Sequence, residues 1–176
     1  LSVIIGPTVF EYSDTVELIE GIFSLAKRKN TNFMPLYHGS NVRGAVELGA
    51  FGELLPGGIP SKGPGSSLAE LMTGKKRPKV LYLVGQAPFL ERPDCEYLIS
   101  QDIYYPPFPI DAFLPAASFA EAGGSLTNIE GRVQELVKIE NPPDGAVTGY
   151  VRPDWQIFSD LSQKLDCGAL WYKNAE

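Results

Sequence analysis

One histidine and two cysteines are all the imidazole and thiol ligands that the 176 residues hold. His38, Cys95 and Cys167 lie far apart and no CxxC pair is present, so they cannot build a four-ligand zinc or iron–sulfur centre by themselves. The two cysteines read as unpaired thiols of a reducing compartment. A single histidine leaves little for acid–base chemistry, and no nucleophile neighbours His38 in sequence, so a hydrogen-bonded structural role is expected for it. There is no Ser/His/Asp arrangement, no Walker lysine loop and no GxGxxG. No apolar run is long enough to span a bilayer and no signal-peptide pattern occurs, so no direct membrane insertion is expected. Basic residues are outnumbered, 15 to 21, and the net charge is −6. The basic cluster Lys75-Lys76-Arg77 precedes a strand and reads as a solvated turn, so a nucleic-acid partner is not expected.

What is present suits an α/β domain. The apolar fraction, 44%, is enough for a core at this length. The chain opens at Leu1 inside an apolar run and without Met, and is expected to be an internal piece of a longer protein. Residues 1–5 form a continuous β-branched run, as for a strand buried on both faces. Gly6-Pro7-Thr8 ends it. A helix is expected over residues 14–29, capped by Asp14 with Glu17 completing a capping box. Its apolar stripe is Val16, Ile19, Phe23 and Ala26, flanked by Leu18, Ile22 and Leu25. Lys27-Arg28-Lys29 suits the helix C-terminus, and Asn30 can leave it. A second strand is expected over 32–36. Residues 56–67, rich in Gly, Pro and Ser, read as a flexible loop. A short helix follows, capped by Ser67, and stops near Gly74.

Residues 80–84 are the clearest strand, and 97–102 are another. Only twelve residues separate Val84 from Tyr97, near the lower limit for a parallel crossover, so a turn or one short helical piece is expected there. Residues 111–114 read as the last strand of the sheet, stopped by Pro115. Residues 132–139 alternate weakly as a strand, 141–145 make a turn, and 155–165 form the last helix. That helix would bury Trp155, Phe158, Leu161 and Leu165, and Gly168 would end it.

Between the last two strands, residues 114–134 read LPAASFAEAGGSLTNIEGRVQ. Small residues, a Gly-Gly turn and six crowded polar side chains suggest a folded-back excursion with its own hydrogen-bond network. Glu121, Asn128 and Arg132 are expected to hold it together, with Arg132 neutralising Glu121 or Glu130.

This stretch resembles the "LP…(T/S)xxE…G(T/S)xxNxEGRxQ" signature of the molybdopterin oxidoreductase family, through Leu114-Pro115, Glu121, Gly124-Ser125, Asn128, Glu130-Gly131-Arg132 and Gln134. Asn41, Gly44, Gly49 and Pro56-Gly57 resemble the family's NxxG…PG loop, which lies against the pterin. Gly85-Gln86-Ala87-Pro88 is similar to its strand-ending G(E/A)(N/D)P turn. Gln101-Asp102-Ile103 and the DWQIFSDL helix echo it too. The resemblance implies a single Rossmann-like domain over residues 1–176, with a mostly parallel sheet flanked by helices, a C-terminal folded-back β segment and a final helix. It implies that Asn41, Gly44, Gly85, Gln86 and Asp102 line the place of a molybdopterin guanine dinucleotide. There Asp102 would accept the N–H edge of guanine, and Asn41 and Gln86 would bond a pterin or phosphate. No catalytic residue and no metal ligand are expected in this piece. Iron–sulfur clusters are expected elsewhere in the parent.

Two departures from the family pattern bear on that site. Ala87 stands where relatives carry Asn or Asp. The loop over 104–110 has Tyr104, Tyr105 and prolines where relatives carry threonines that bond the nucleotide. Three lost hydrogen bonds would weaken binding by roughly 10- to 1000-fold. The reading these departures favour is the large iron–sulfur subunit of NADH:quinone oxidoreductase, an electron-transfer protein in which this piece is scaffold around a degenerate or absent cofactor site. The alternative is the cofactor-binding domain of a molybdenum or tungsten enzyme such as formate dehydrogenase. A non-catalytic nucleotide-binding module is a third reading. The implied partners are the remaining domains of the parent and other oxidoreductase subunits, in a cytoplasmic protein reaching a membrane only through its complex.

Overall fold

The computed structural model describes residues 2–29, 31–50, 52, 54–63, 68–86, 88–142 and 150–167. The expectations placed on Asn30, Ser67, Ala87, Gly168, the latter part of the 141–145 turn and residues 64–67 of the 56–67 loop fall outside them. The fold is α/β, with parallel sheets flanked by helices. The chain divides into two compact units, Leu1–Ile59 with Leu126–Gln134, and Pro60–Ser125 with Glu135–Glu176.

In the first unit, β1 (Ser2–Ile5) and β2 (Asn32–Pro35) pair in parallel, with Val3 opposite Phe33 and Ile4 opposite Met34. The connection carries a 3₁₀ turn, Pro7–Glu11, and helix α1 (Thr15–Lys29). The Thr15 hydroxyl donates to the carbonyls of Val9, at 2.9 Å, and Tyr12, which fixes the start of α1. One face of the strand pair is covered: Phe23 of α1 lies against Phe33, ring centroids 4.4 Å apart, and Ile5 and Ala26 are buried. The expectation that residues 1–5 are buried on both faces does not hold, because Ile4 is 64% exposed on the opposite face. The period of two sends Val3 and Ile5 to the helix side and Ile4 away from it. Nor is the α1 stripe uniformly inside: Ala26 is its buried member, while Val16 and its neighbours Leu18 and Leu25 are exposed.

After β2 the chain turns through residues 36–41 into the short helix α2 (Val42–Glu47), which lies within the stretch that resembles the family's NxxG…PG loop. Strands β3 (Leu54–Leu55) and β4 (Ile59–Pro60) follow as a small pair. Gly49 is required here. It sits at φ +77, and a Cβ would meet Pro56 N at 2.5 Å and Leu55 C at 2.6 Å.

The second unit holds α3 (Leu68–Met72) and the three-stranded parallel sheet β5 (Val80–Val84), β6 (Tyr97–Asp102) and β7 (Ala112–Pro115), in that order. β5 and β6 match the expected strands residue for residue. Among the described residues between them there is only irregular chain. β6 is central and the most buried, with Leu98 and Gln101 fully covered. Leu98 packs with Cys95 and Phe108, and with partly buried Leu81, Leu83, Phe89 and Ile110. Pro115 is the last residue of β7 rather than the residue after it. It is tolerated because β7 is an edge strand, and its carbonyl accepts from Arg152 N–H at 3.3 Å.

Helix α4 (Asp154–Lys164) closes the unit. Its buried face is Ile157, Ser159 and Ser162; Phe158 and Leu165 of the expected stripe are 37% and 70% exposed. Trp155 and Leu161 of that stripe are partly buried, so the buried face is offset from the one that side-chain hydrophobicity suggests. Strands β8 (Gly124–Thr127) and β9 (Val133–Leu136) pair as a hairpin, whose tip, residues 126–134, belongs to the first unit. No helix among the described residues is long and apolar enough to cross a membrane.

Candidate functional site

Ligands of parallel α/β sheets collect outside the carboxyl ends of the strands, where loops leave the sheet. Each unit has such an edge.

In the first unit the carboxyl end of β2 opens on a hollow of about 290 Å³, lined by apolar Leu36, Val42 and Ile129 and by polar Tyr37, Ser40 and Arg43 among others. Its walls are two loops tied together. Asn41 Oδ1 accepts the backbone N–H of Thr127 at 2.8 Å. Arg43 Nη1 donates to the Ile129 carbonyl at 2.6 Å, and its Nε donates to Glu47 at 2.7 Å. Gly44 is buried because a side chain there would overlap Asn41 Oδ1, at 2.5 Å, and the Thr127 side chain. Asn41 and Gly44 therefore act together in bracing, and the structure gives the Asn41 carbonyl an intramolecular partner.

The hairpin tip is held from within. Asn128 Oδ1 accepts the N–H groups of Glu130, at 3.0 Å, and Arg132, at 2.9 Å, and the Asn128 and Arg132 backbones are bonded at 3.0 Å. Arg132 thus takes part through its main chain. In the second unit, Glu121 Oε2 accepts the Ser118 N–H at 2.7 Å and closes its own turn.

In the second unit Gly85, Gln86 and Asp102 come together at the ends of β5 and β6. The register sets Val84 beside Gln101, and Gly85 N–H donates to the Gln101 carbonyl at 2.8 Å. Gly85 adopts φ +73 and has nothing within 4 Å of where a Cβ would lie, so the strand end is open above it. Gln86 is exposed. Asp102 Oδ1 accepts the N–H of Ile103 at 2.6 Å, which orients the carboxylate, and among the described residues Oδ2 has no hydrogen-bond donor. This edge offers a carboxylate, an amide and unfilled space, a set able to take a base with N–H groups on its edge.

Beneath the edge is a network that sequence reasoning missed. Gln101 is fully buried; it accepts from the Tyr82 hydroxyl, and its Nε2 donates to Asp154 Oδ1 at 2.6 Å. Burial and then the negative charge of Asp154 push the Tyr82 hydroxyl pKa up. On the opposite side of the sheet's length, Asp111 Oδ2 accepts from Arg92, at 2.6 Å, and from Leu98 N–H, at 2.7 Å. The Arg92 bond, then the Leu98 bond, hold the Asp111 carboxyl below its ordinary range. Cys95 is buried, and burial pushes its thiol up. Both cysteines are free.

The family model for molybdopterin oxidoreductases matches residues 2–164. The chain belongs to the molybdopterin oxidoreductase family. The chain is 29% identical to the F420-dependent formate dehydrogenase subunit alpha of Methanocaldococcus jannaschii, over 95% of this chain and 29% of that protein. It is 30% identical to a nitrate reductase of Synechocystis sp., over 77% of this chain and 20% of that one. It is also 30% identical to the NADPH-Fe(3+) oxidoreductase subunit alpha of Geobacter sulfurreducens, over 74% and 18%. It thus spans under a third of the length of these relatives.

Proposed function

We propose that this chain is part of the large subunit of a molybdenum- or tungsten-dependent oxidoreductase of the formate dehydrogenase kind, and that its second unit holds the nucleotide end of a molybdopterin guanine dinucleotide. The observation that carries the reading is the open strand edge at Gly85 beside Asp102, whose Oδ1 is engaged by Ile103 N–H at 2.6 Å while Oδ2 is left to a ligand. A carboxylate in that state suits the two N–H groups on the edge of guanine, and Gln86 suits a phosphate or ribose. The names of the relatives, which include formate dehydrogenase and nitrate reductase, support the same reading. When bound, the cofactor supplies the redox-active metal; the residues of this chain bind and orient its nucleotide. In the first unit, Ser40 and Arg43 line the hollow on the side of the family's pterin-contacting loop. Other subunits are the expected partners, as the relatives named alpha subunits suggest.

The second reading is the large iron–sulfur subunit of NADH:quinone oxidoreductase, with this piece as scaffold. It is favoured by one observation: Asn41, Arg43 and Asn128 use polar groups to brace the hairpin tip. One experiment separates the two. The full-length parent is purified and denatured, and released nucleotides are separated by chromatography. A guanine nucleotide in stoichiometric amount supports the first reading; its absence, with iron–sulfur clusters present, supports the second.

A further inference from the structure

We infer that Gln101 is a positioning residue: held by Tyr82 and Asp154, it fixes the end of β6 so that the Asp102 carboxylate meets both N–H groups of a guanine edge. The inference rests on the first reading above and gives a role to a residue that reading does not use. Gln101 and Asp102 are the last two residues of β6, the central strand of the second unit's sheet. Successive side chains of a strand point to opposite faces. Gln101 is fully buried, whereas Asp102 is half-buried. One peptide bond joins them, so whatever holds Gln101 also holds the base of the Asp102 side chain.

That joint is held from several sides. The Tyr82 hydroxyl donates to Gln101 Oε1, and Gln101 Nε2 donates to Asp154 Oδ1 at 2.6 Å. The Gln101 carbonyl accepts Gly85 N–H at 2.8 Å, and the Asp102 carbonyl accepts Ala116 N–H at 3.0 Å. Strand pairing stops here, at Val84–Gln101 on one side and Asp102–Pro115 on the other. The side-chain bonds of Gln101 therefore restrain β6 where its backbone ladder runs out. Holding α4 alone does not account for the amide. The chain entering α4 is already fastened to the end of β7: Arg152 N–H donates to the Pro115 carbonyl at 3.3 Å, and the Arg152 carbonyl accepts Ala117 N–H at 2.9 Å. An apolar side chain would fill the covered position without the desolvation that an amide incurs. What the amide adds is direction, because bonds at both of its ends fix one orientation. A carboxylate that bonds the ring N–H and the 2-amino group of guanine together must be held to within about 0.5 Å.

The test compares GDP with IDP, whose hypoxanthine keeps the ring N–H and lacks the 2-amino group. The full-length parent is produced in cells that make no molybdopterin, which leaves the nucleotide site free, and dissociation constants are measured by calorimetry. The unsubstituted parent should prefer GDP by roughly 10- to 150-fold, the worth of one hydrogen bond to a carboxylate. Gln101→Leu should bring the two affinities close together, because a displaced carboxylate no longer reaches both groups. Tyr82→Phe, which removes only the hydroxyl at one end of the amide, should lower the preference part of the way. A merely structural Gln101 would weaken GDP and IDP alike, so an unchanged ratio in folded Gln101→Leu overturns the inference. Where Gln101→Leu fails to fold by circular dichroism, or binds neither nucleotide, Tyr82→Phe decides, and an unchanged ratio there overturns it equally. An unsubstituted parent that binds neither nucleotide, or both equally, overturns the underlying reading instead, and that outcome needs no variant.

Discussion

Asn41 Oδ1 and Thr127 N–H meet at 2.8 Å across 86 positions of sequence. The bond fastens the loop after β2 to the hairpin tip, and only glycine fits at position 44 because Asn41 Oδ1 and the Thr127 side chain occupy the space that a Cβ would need. The acceptor is half-buried, so its removal leaves the Thr127 N–H short of a partner. Asn41→Ala should destabilise the first unit by about 1–3 kcal/mol, whereas Asn41→Asp, which keeps the acceptor, should cost less. Urea unfolding of both variants checks this; an unchanged midpoint for Asn41→Ala would show that the bond contributes nothing.

Asn128 does for the tip what Asn41 does for its base. Its side-chain carbonyl accepts two backbone N–H groups, from Glu130 and Arg132. Asn128→Ala loses both bonds and should lower stability by about 1–3 kcal/mol. Asn128→Asp should be close to neutral, because a carboxylate accepts the same two bonds. If both variants unfold at the same urea concentration as the unsubstituted chain, the tip is held by its backbone alone.

Gly49 tests a steric claim. At φ +77 an added Cβ would overlap the backbone of Leu55 and Pro56, at 2.6 and 2.5 Å, and backbone cannot swing aside as a side-chain end can. Gly49→Ala should therefore cost about 2–4 kcal/mol. A loss below about 1 kcal/mol in denaturant unfolding would mean that the α2–β3 connection can open.

These sites differ in how far the sequence disclosed them. Residues 80–84 declared themselves as a strand because an unbroken apolar run of that length has few other uses in a parallel sheet, whereas 97–102 offers only Tyr97, Leu98 and Ile99 before polar residues. Asn128 and Glu121 were legible as bracing residues, since short polar side chains among glycines bond their own backbone. The α4 face was not legible. Ser159 and Ser162 are buried beside Ile157, and Phe158 is 37% exposed, so the buried face is offset from the one that side-chain hydrophobicity suggests. Helix α2 was hidden by Gly44, which looks like a breaker but is there to admit Asn41 and Thr127. Of the five residues expected to face a cofactor, Gly85, Gln86 and Asp102 share one strand edge in the second unit, and Asn41 and Gly44 brace the hairpin tip in the first.

The Arg92–Asp111 pair makes stability depend on acid. The Asp111 carboxyl is held below its ordinary pKa, first by Arg92 and then by Leu98 N–H. A depressed carboxylate contributes its full stabilisation above the unfolded value, near 4, and loses it as pH falls through the folded value. Urea midpoints of the unsubstituted chain should fall as pH drops below about 4, and Asp111→Asn should flatten that part of the profile. Parallel profiles for the two proteins would remove Asp111 from the acid response.

Gln101 lies fully buried between a hydroxyl and a carboxylate, accepting from Tyr82 and donating to Asp154 at 2.6 Å. An amide is the side chain that can do both at once without charge. Gln101→Leu keeps the volume but strands the Tyr82 hydroxyl, and should cost about 1–3 kcal/mol. Gln101→Glu keeps the acceptor for Tyr82 but sets a second carboxyl against Asp154 in a buried site. Burial and like charge both raise the pKa of such a glutamate above its unfolded value near 4.3. The unfolded chain then ionises first, so the penalty is small below about pH 4 and grows as pH rises towards the raised value. Gln101→Glu should accordingly be more destabilised at pH 7 than at pH 4, relative to the unsubstituted chain at each pH. Equal destabilisation at both would mean that water reaches the site and that Gln101 is not the sealed link between β6 and α4.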